Sequence, residues 1–330
     1  MAPPRMRNIT MAQAIRTAIR EEMKRDERVI LFGEDVGQYG GVYGATVGLQ
    51  KEFGEDRVRD TPISEAAIAG MAVGAALAGW RPIAEIMYCD FLAHAADAIV
   101  NNAAKWRYMS GGQFKVPVVF RSPAGGGAGY AAQHSQNLEA WFCHIPGLKV
   151  VMPGLPRDAR GLLKAAIRDD NPVVFIEHKG HYTYKGDVPA EEEIIPLGVA
   201  SILTPGTDVT LVAWSKTLTY AMEAVDRLAE EGISVELVDP RTLQPLDTDT
   251  ICASVAKTGR LVVAHEAVGF AGFGAEILAQ VTERVFDSLV CPPVRVCAPF
   301  VPQPYSQPLE NFVIPQVEDI VAGVRRTLAE

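Results

Sequence analysis

The sequence predicts an α/β protein of two domains, each a mostly parallel β-sheet flanked by helices. Its 330 residues suggest two domains, because a domain averages about 150 residues. Short apolar runs alternate with amphipathic helical patterns, which is typical of parallel sheets covered by helices. The alternation stops at a polar stretch that contains glycine and proline, and then it resumes.

The first half alternates from its first helix onward. Thr10 can cap that helix, because its hydroxyl can accept a hydrogen bond from a first-turn amide. The predicted helices are ITMAQAIRTAIREEMKRD (9–26), the alanine- and glycine-rich run after Glu65, FLAHAADAIVNNAAKWRYMS (91–110) and PRDARGLLKAAIRD (156–169). The predicted strands are RVILFGEDV (28–36), RPIAEIMY (81–88), VPVVFRSPAG (116–125), LKVVMPG (148–154) and PVVFIEH (172–178).

The break in the pattern is the polar stretch YTYKGDVPAEEEIIPLG, and it places a domain boundary near 185–205. We therefore predict a first domain over 1–190, a linker over 191–205 and a second domain over 206–330. The second domain repeats the alternation. Its predicted strands are TDVTLVAWS, ISVELVDP, RLVVAHEAV and VRVCAP, and its predicted helices are TLTYAMEAVDRLAEEG, DTDTICASVAKTG, FGAEILAQVTERVFDSL and IPQVEDIVAGVRRTLAE.

Composition makes several classes of partner unexpected. The net charge of −9 and the scattered basic residues argue against nucleic acid as the main partner. The uncharged run Ala66–Trp80 is shorter than the roughly 20 residues that span a bilayer, so no membrane is expected. The five cysteines form no C-x-x-C pair, and the chain start shows no signal or transit pattern. A reduced, cytoplasmic protein is therefore expected.

The sequence contains none of the common short motifs that would identify its chemistry. The dinucleotide fingerprint, the phosphate loop, H-E-x-x-H and G-x-S-x-G are all missing. One carboxylate nevertheless stands out, because Glu65 heads the uncharged run. Thr61 as N-cap and Pro62 at the first helical position would place Glu65 in a first turn, where the helix dipole favours negative charge. Glu65 is thus either a helix-end charge or a catalyst in an apolar pocket.

The helix after Glu65 presents an unusually small face. Ala66, Gly70, Gly74 and Ala78 are spaced by four and therefore share one side. Glycine costs about 1 kcal/mol relative to alanine in a helix, so two of them indicate a packing reason. We expect this face to lie against another helix, including one from another subunit.

Two further residues are candidates from position alone. His134 follows a strand and the glycine-rich loop AGGGAGYAA, and such loops lie at the carboxyl edge of a sheet, where ligands bind. His94 has a helical spacing that fits a core or a surface position as well as a site. Phe91 is by base rate a core residue.

Nine longer stretches, spread over the whole chain, carry a resemblance. They are GEDVG (33–37), GGVYGAT (40–46), FGEDRVRDTPISE (53–65), AAQHSQ (131–136), IPGLKVVMP (145–153), AAIRDDNPVVFIEHK (165–179), DPRTLQPLD (239–247), GFGAEI (272–277) and IPQVEDIV (314–321). With these the chain resembles the β subunit of the thiamine-diphosphate-dependent decarboxylase of 2-oxo acid dehydrogenase complexes, of the pyruvate and acetoin types most of all.

The resemblance implies a fold and an assembly. The first domain would bind the aminopyrimidine half of thiamine diphosphate, and the second would be a transketolase-like C-terminal domain. A partner α subunit would hold the diphosphate and Mg²⁺ through a G-D-G…N motif, which this sequence lacks, in an assembly of two α and two β chains. The C-terminal domain would dock a lipoyl acyltransferase core. Val290 and Phe300 stand where close relatives carry acidic residues, which puts that docking in question.

The resemblance also implies roles for individual residues. Glu65 matches the catalytic glutamate, whose carboxyl group bonds to a pyrimidine ring nitrogen and shares a proton with it. Phe91 matches the aromatic residue that stacks on the pyrimidine, and Met87 and Tyr88 lie at the same strand end. His134 matches the histidine that bonds to the substrate carboxylate or to intermediates. Backbone carbonyls of a potassium site in some relatives correspond to Val118, Ala166, Ile167, Asp169 and Asn171.

Three functions follow as hypotheses. The first is the β subunit of a 2-oxo acid or acetoin dehydrogenase, which decarboxylates or cleaves its substrate and passes the two-carbon unit to a lipoyl group. The second is a free-standing, two-subunit transketolase-like or acyloin-forming enzyme. The third is a catalytically silent scaffold, against which the joint presence of Glu65, Phe91 and His134 argues.

Overall fold

The computed structural model describes residues 5–329 and divides into two compact units. The first unit is the chain up to Ala124 together with Trp141–Leu197. The second is Gly125–Ala140 together with the chain from Gly198 onward. The loop that carries His134 therefore belongs to the second unit. The predicted domain limits remain a prediction, and their residues 1–4 and 330 lie outside the described part.

The helices and strands alternate along the chain as the sequence predicts. The strands are β1 (Met6–Thr10), β2 (Val29–Gly33), β3 (Val58–Asp60), β4 (Arg81–Glu85), β5 (Val119–Ala124), β6 (Lys149–Val151), β7 (Val173–His178), β8 (Lys185–Pro189), β9 (Ser201–Thr204), β10 (Val209–Ala213), β11 (Val235–Asp239), β12 (Thr242–Gln244), β13 (Leu261–Val268) and β14 (Val294–Ala298). The helices are α1 (Met11–Arg25), α2 (Leu49–Phe53), α3 (Glu65–Leu77), α4 (Ala104–Met109), α5 (Glu139–Cys143), α6 (Pro156–Arg168), α7 (Ser215–Glu230), α8 (Thr248–Thr258), α9 (Phe273–Val285), α10 (Gln307–Val313) and α11 (Val317–Ala329).

The first unit is built on six parallel strands in the order β6-β7-β5-β4-β2-β3. Its strands β5 and β7 are buried at every residue and β2 and β4 at all but one, as expected of a parallel sheet with both faces covered. Helices α1 and α6 pack on each other beside this sheet and share its core with Leu31, Ile83 and Phe175. A separate antiparallel pair, β1 with β8, was not predicted, and β8 lies inside the stretch expected to break the pattern.

The second unit repeats the design with the strand order β14-β13-β10-β11-β9. Four of these strands are parallel, and β9 runs antiparallel to β11 at the edge. The two-domain, mostly parallel α/β fold is thereby confirmed. Strand β9 begins at Ser201, within the range expected to be a linker.

Two predicted helix starts have different outcomes. Thr10 caps α1 as expected: its hydroxyl accepts from the Gln13 amide, and the Gln13 side chain accepts from the Thr10 amide. The predicted start of α3 at Thr61 and Pro62 is wrong. The helix begins at Glu65, because residue 61 is still tied to the sheet through its amide, which donates to the Gly33 carbonyl.

The small face of α3 lies on the surface of the chain. Ala66, Gly70, Gly74 and Ala78 are exposed, whereas Ile68 and its neighbours on the other side are buried. A Cβ added at either glycine would meet no atom within 4 Å. The expected contact with a helix of another subunit remains a prediction.

Within residues 5–329, every helix is too short or too polar to cross a membrane.

Candidate active site

Acidic and aromatic side chains collect at the carboxyl edge of the first sheet. Strands β3, β2 and β4 are parallel neighbours, so their carboxyl ends lie side by side. Glu34 directly follows β2, Glu85 ends β4, and Met87 and Tyr88 come just after it. The chain leaves β3 and enters α3 at Glu65. Loops after parallel strands are the usual ligand sites of such sheets.

Glu65 is the first residue of α3, and its side chain is only 10% exposed. No side chain caps this helix, so the unpaired amides of its first turn favour a negative charge there. The Oε2 atom of Glu65 lies 3.5 Å from Nδ1 of His94. His94, for which the sequence left a core, a surface and a site position open, is an exposed residue beside the candidate carboxylate.

Glu34 is a second acidic member of this edge, and the sequence analysis did not single it out. Its Oε1 atom is buried and has no hydrogen-bond partner among the described residues. Burial raises the pKa of Glu34 to about 6, and the nearby charge of Glu65 adds to the effect. The sequence feature that could have identified Glu34 is its position directly after a buried strand. A carboxyl group with this pKa can gain or lose a proton near neutral pH.

A row of three rings, Tyr88, Phe91 and His94, ends beside Glu65. Phe91 is half-buried in a short 3₁₀ helix, Cys89–Ala93, rather than in the predicted longer helix. Its ring centroid is 6.2 Å from that of Tyr88 and 5.7 Å from that of His94, to which it is nearly parallel. Met87 is buried, and the Met87–Tyr88 peptide bond is cis. The structure thus brings Met87, Tyr88, Phe91 and Glu65 into one unit.

A buried ion network stands at the ends of β4, β5 and β7. Arg121 donates to Glu85 at 2.6 Å and, through two nitrogens, to both oxygens of Glu177 at 2.7 Å. Tyr182 donates to Glu177 at 2.5 Å. Burial opposes the charge of Arg121, but the two carboxylates outweigh it and raise its pKa. Burial also raises the pKa of Glu85 and of Tyr182.

This network is connected to the row of rings through Tyr182 and Tyr43. The Tyr182 ring stacks on Tyr43 with centroids 4.6 Å apart, and the edge of Tyr43 meets Tyr88 at 6.3 Å. The ammonium group of Lys179 lies 5.0 Å above the ring of Tyr88. Sequence reasoning missed these supports because their members come from distant strands and loops.

His134 lies in the second unit and is half-buried. It follows a run of glycines, of which Gly125, Gly127 and Gly129 have positive φ, as does Ala131. Glycine adopts that backbone conformation without strain, so the run lets the chain turn repeatedly before His134.

Four of the carbonyls predicted to bind potassium already accept hydrogen bonds within the chain. The carbonyls of Ile167 and Asp169 each accept from Nη1 of Arg81 at 3.0 Å. The carbonyl of Val118 accepts from the Val173 amide, and that of Ala166 from the Asp169 amide. Each carbonyl oxygen has a second lone pair, so this set, with Asn171, stays a prediction. In the described part of the chain, no cluster of three or more His, Cys, Asp or Glu residues is placed to bind a metal.

Two family descriptions match the chain. The pyrimidine-binding domain of transketolase matches residues 7–185, and the C-terminal domain of transketolase matches residues 198–320. The first match alone spans more than half of the chain.

Curated relatives match almost end to end. The pyruvate dehydrogenase E1 component subunit beta of Rickettsia felis is 48% identical over 96% of this chain and 98% of its own length. The mitochondrial subunit beta-2 of rice is 48% identical over 97% of this chain and 86% of its own. The mitochondrial subunit beta of cattle is 47% identical over 98% of this chain and 92% of its own length.

A solved structure has the same fold. It is described as a split gene transketolase, inactive beta4 tetramer, and superposes with a TM-score of 0.80. The two sequences are 23% identical, and the match covers 97% of this chain and 99% of the other.

Proposed function

The chain belongs to the family of pyruvate dehydrogenase E1 β subunits, and on this premise we propose that it is the β subunit of a thiamine-diphosphate-dependent 2-oxo acid dehydrogenase. The proposed reaction is the decarboxylation of pyruvate, or the cleavage of acetoin, with transfer of the two-carbon unit to a lipoyl group. The observation that carries it is the buried Glu65 carboxylate, which lies 3.5 Å from His94, the ring of which stacks on the half-buried Phe91 at the carboxyl edge of the first sheet.

The residues at this edge fit the pyrimidine half of thiamine diphosphate. A flat heteroaromatic ring needs an apolar face to stack on and polar atoms for its nitrogens. Phe91 offers the face, while Glu65 offers carboxylate oxygens. The buried Oε1 of Glu34, which has no partner among the described residues, is a further polar atom available to a ligand. Met87 and Tyr88 would complete the wall.

The proposed chemistry of this chain is the control of one proton. Thiamine diphosphate, when bound, supplies the acidic thiazolium carbon and the electron sink for decarboxylation. An Oε atom of Glu65 would hold a proton for the pyrimidine ring and take it back. The burial of Glu65 would strengthen a hydrogen bond made there, because few water molecules would compete for it. The neighbouring Glu34, with its pKa near 6, keeps a second exchangeable proton close to Glu65.

The rest of the proposed site needs more than this chain. His134 would bond to the substrate carboxylate or to an intermediate. A partner α subunit would hold the diphosphate and Mg²⁺, within two α and two β chains. Val118, Ala166, Ile167, Asp169 and Asn171 would bind K⁺ through their carbonyls. The cytoplasm is the proposed compartment, on the strength of an odd cysteine count without C-x-x-C pairs.

A substitution of Glu65 tests the proposed function. In the assembled αβ enzyme, Glu65→Gln keeps the size and polarity of the side chain but cannot exchange a proton. We expect kcat for pyruvate or acetoin to fall by roughly 10²- to 10⁴-fold, the usual range for a lost acid–base group. Steady-state kinetics with saturating thiamine diphosphate and Mg²⁺ measure it.

The matched control is Glu318→Gln, which removes an acidic residue from the first turn of α11. It reproduces the loss of a helix-end charge without touching the candidate site, and kcat should stay within about twofold. Full turnover by Glu65→Gln would refute the role of this carboxylate and would favour a scaffold.

One observation favours the second candidate function, a free-standing transketolase-like or acyloin-forming enzyme. Val290 is 63% exposed and Phe300 75% exposed, at the positions where the resemblance implies acidic residues. Two apolar side chains cannot make the ionic contacts that those carboxylates would make with a lipoyl acyltransferase. The two functions differ in whether the assembled enzyme acylates a lipoyl domain.

A further inference from the structure

We infer that Glu310 is a positioning residue, which fixes the glycine-rich loop 125–134 and thereby sets the place of His134. The inference rests on the role proposed above for His134. Glu310 belongs to α10, and both it and the loop lie in the second unit. The sequence analysis assigned no role to Glu310.

The carboxylate of Glu310 holds two amides of the loop at once. Its Oε1 accepts from the amide of Gly127 and its Oε2 from the amide of Gly129, each at 3.0 Å. Gly127 and Gly129 have φ of +84° and +71°, a backbone conformation that most side chains disfavour. The alternating glycines therefore allow both amides to reach one carboxylate.

A second carboxylate holds the loop on either side of His134. Glu266, in β13, accepts from the Gly126 amide at 2.7 Å and from the Asn137 side chain at 3.2 Å. Since Asn137 comes three residues after His134, the chain is tied down before and after the histidine. Glu310 and Glu266 thus restrain the same loop from two different elements.

Neighbouring side chains also pack closely against two glycines of the loop. A Cβ on Gly126 would lie 3.0 Å from the Ile314 side chain, and one on Gly127 would lie 3.3 Å from Nζ of Lys216. The segment of α10 that carries Glu310 is itself fixed, because the Glu310 carbonyl accepts from the Ile314 amide.

Burial makes the two bonds of Glu310 hard to replace. The residue is fully buried, so its carboxylate has no access to bulk water. If the loop moved away, a charge would remain in the interior without its hydrogen bonds, which is strongly unfavourable. Loop conformations that displace His134 are therefore rare. Glu310 acts through backbone amides alone and is a positioning residue rather than a catalytic one.

Hydrogen exchange of the assembled αβ enzyme tests the restraint directly. In Glu310→Gln an NH₂ group replaces one acceptor, so one loop amide loses its partner. We expect amides of residues 126–134 to exchange about tenfold faster or more. The matched control is Glu236→Gln, since Glu236 is also buried in the second unit and accepts a glycine amide, that of Gly206 at 3.2 Å. The control should leave exchange in 126–134 unchanged, and an unchanged rate in Glu310→Gln would overturn the inference.

A double-mutant cycle tests whether Glu310 acts through His134. Glu310→Gln and His134→Ala should each lower kcat/KM, and the double variant should be no slower than His134→Ala alone. Losses that multiply would show that Glu310 acts elsewhere and would overturn the inference. If His134→Ala has no effect, the proposed role of His134 fails, while hydrogen exchange still decides whether Glu310 holds the loop.

A second variant covers the case in which Glu310→Gln does not assemble. Gly129→Ala strains the loop at its positive φ but leaves α10 intact, and its added Cβ has space, with the nearest atom 3.9 Å away. It should show the same faster exchange and the same lack of additivity with His134→Ala. Normal exchange and normal kcat/KM in this variant would contradict the inference.

Discussion

At the scale of single residues, the Glu139 carboxyl group shows how the interior controls a charge. Burial, and then the nearby charge of Glu266, raise the pKa of Glu139 from 4.5 to about 7. Its Oε2 atom is buried without a hydrogen-bond partner among the described residues. As the pH rises from about 4.5, the unfolded chain releases this proton before the folded protein does. The folded protein therefore loses stability up to about pH 7, and the loss stays constant above it.

The substitution Glu139→Gln should remove this dependence. An amide resembles the protonated acid, so the variant and the parent should be similarly stable at pH 4.5. The variant should then become relatively more stable as the pH rises to 7, by on the order of 3 kcal/mol, since one pKa unit corresponds to about 1.4 kcal/mol. Thermal unfolding of the assembled enzyme between pH 4.5 and 8.5 measures the difference. The exposed Glu230→Gln is the control, and its curve should run parallel to that of the parent.

The pair Glu34 and Glu65 shows that neighbouring carboxyl groups can take different roles. Glu65 occupies a helix start at which no side chain caps the first-turn amides. Glu34 has a buried oxygen and a raised pKa, which favour its protonated form up to about pH 6. Two acids with such different surroundings are the arrangement that separates a proton donor from a proton acceptor.

At the scale of elements, the Arg121 network joins three parallel strands at their carboxyl ends. Glu85 belongs to β4, Arg121 to β5 and Glu177 to β7. Parallel strands have no tight turns between them, so a network at their ends helps to fix the loops that begin there. The aromatic row follows β4 directly, and its position therefore depends on this network.

Substitution of Arg121, the cation at the centre of this network, should strongly destabilise the fold. In Arg121→Met two buried carboxylates remain without their partner, and we expect a loss of about 3–5 kcal/mol in the free energy of unfolding. Denaturant unfolding of the assembled enzyme near pH 7 measures it. The control is Arg325→Met, which removes an exposed partner of Glu231 and should lose less than about 1 kcal/mol. A loss of under 1 kcal/mol in Arg121→Met would mean that the network adds little to the fold.

At the scale of the whole molecule, family membership and the exposed apolar residues of the second unit point to one decisive measurement. A β subunit of a 2-oxo acid dehydrogenase should, with its α subunit, pass an acyl unit to the lipoyl domain of an acyltransferase. Phe300 contacts the ring of Phe270 with centroids 5.2 Å apart, and both rings are exposed.

We expect the assembled enzyme to acylate a lipoyl domain from its own organism when both are at high concentration, because the reaction itself does not require the docking contact. Binding to the acyltransferase core should be weak and should tighten about tenfold or more in Val290→Asp with Phe300→Asp, which introduce the carboxylates that the resemblance implies. Mass spectrometry of the lipoyl domain and surface binding of the core measure the two effects. Product formation without any lipoyl acylation would favour the free-standing enzyme.

The sequence by itself determined the fold class and the order of elements. Apolar strands and amphipathic helices are encoded by local periodicity, so β2, β4 and β5 lie within the predicted runs, and the capped start of α1 was predicted at Thr10. The sequence also placed Glu65 in a first turn and His134 after a glycine-rich loop, because both signals lie within one short stretch.

Only the tertiary structure decided which distant side chains meet. Glu310 lies more than 180 positions from the glycines whose amides it accepts, and Arg121 is 56 positions from Glu177. The raised pKa of Glu34 depends on burial and on Glu65, neither of which has a local signature. The start of α3 was mispredicted for the same reason, since a bond from residue 61 to β2 delays the helix. The pattern of helices and strands depends on residues that are close in sequence. The pKa and the position of a side chain in the site depend on residues that are close only in space.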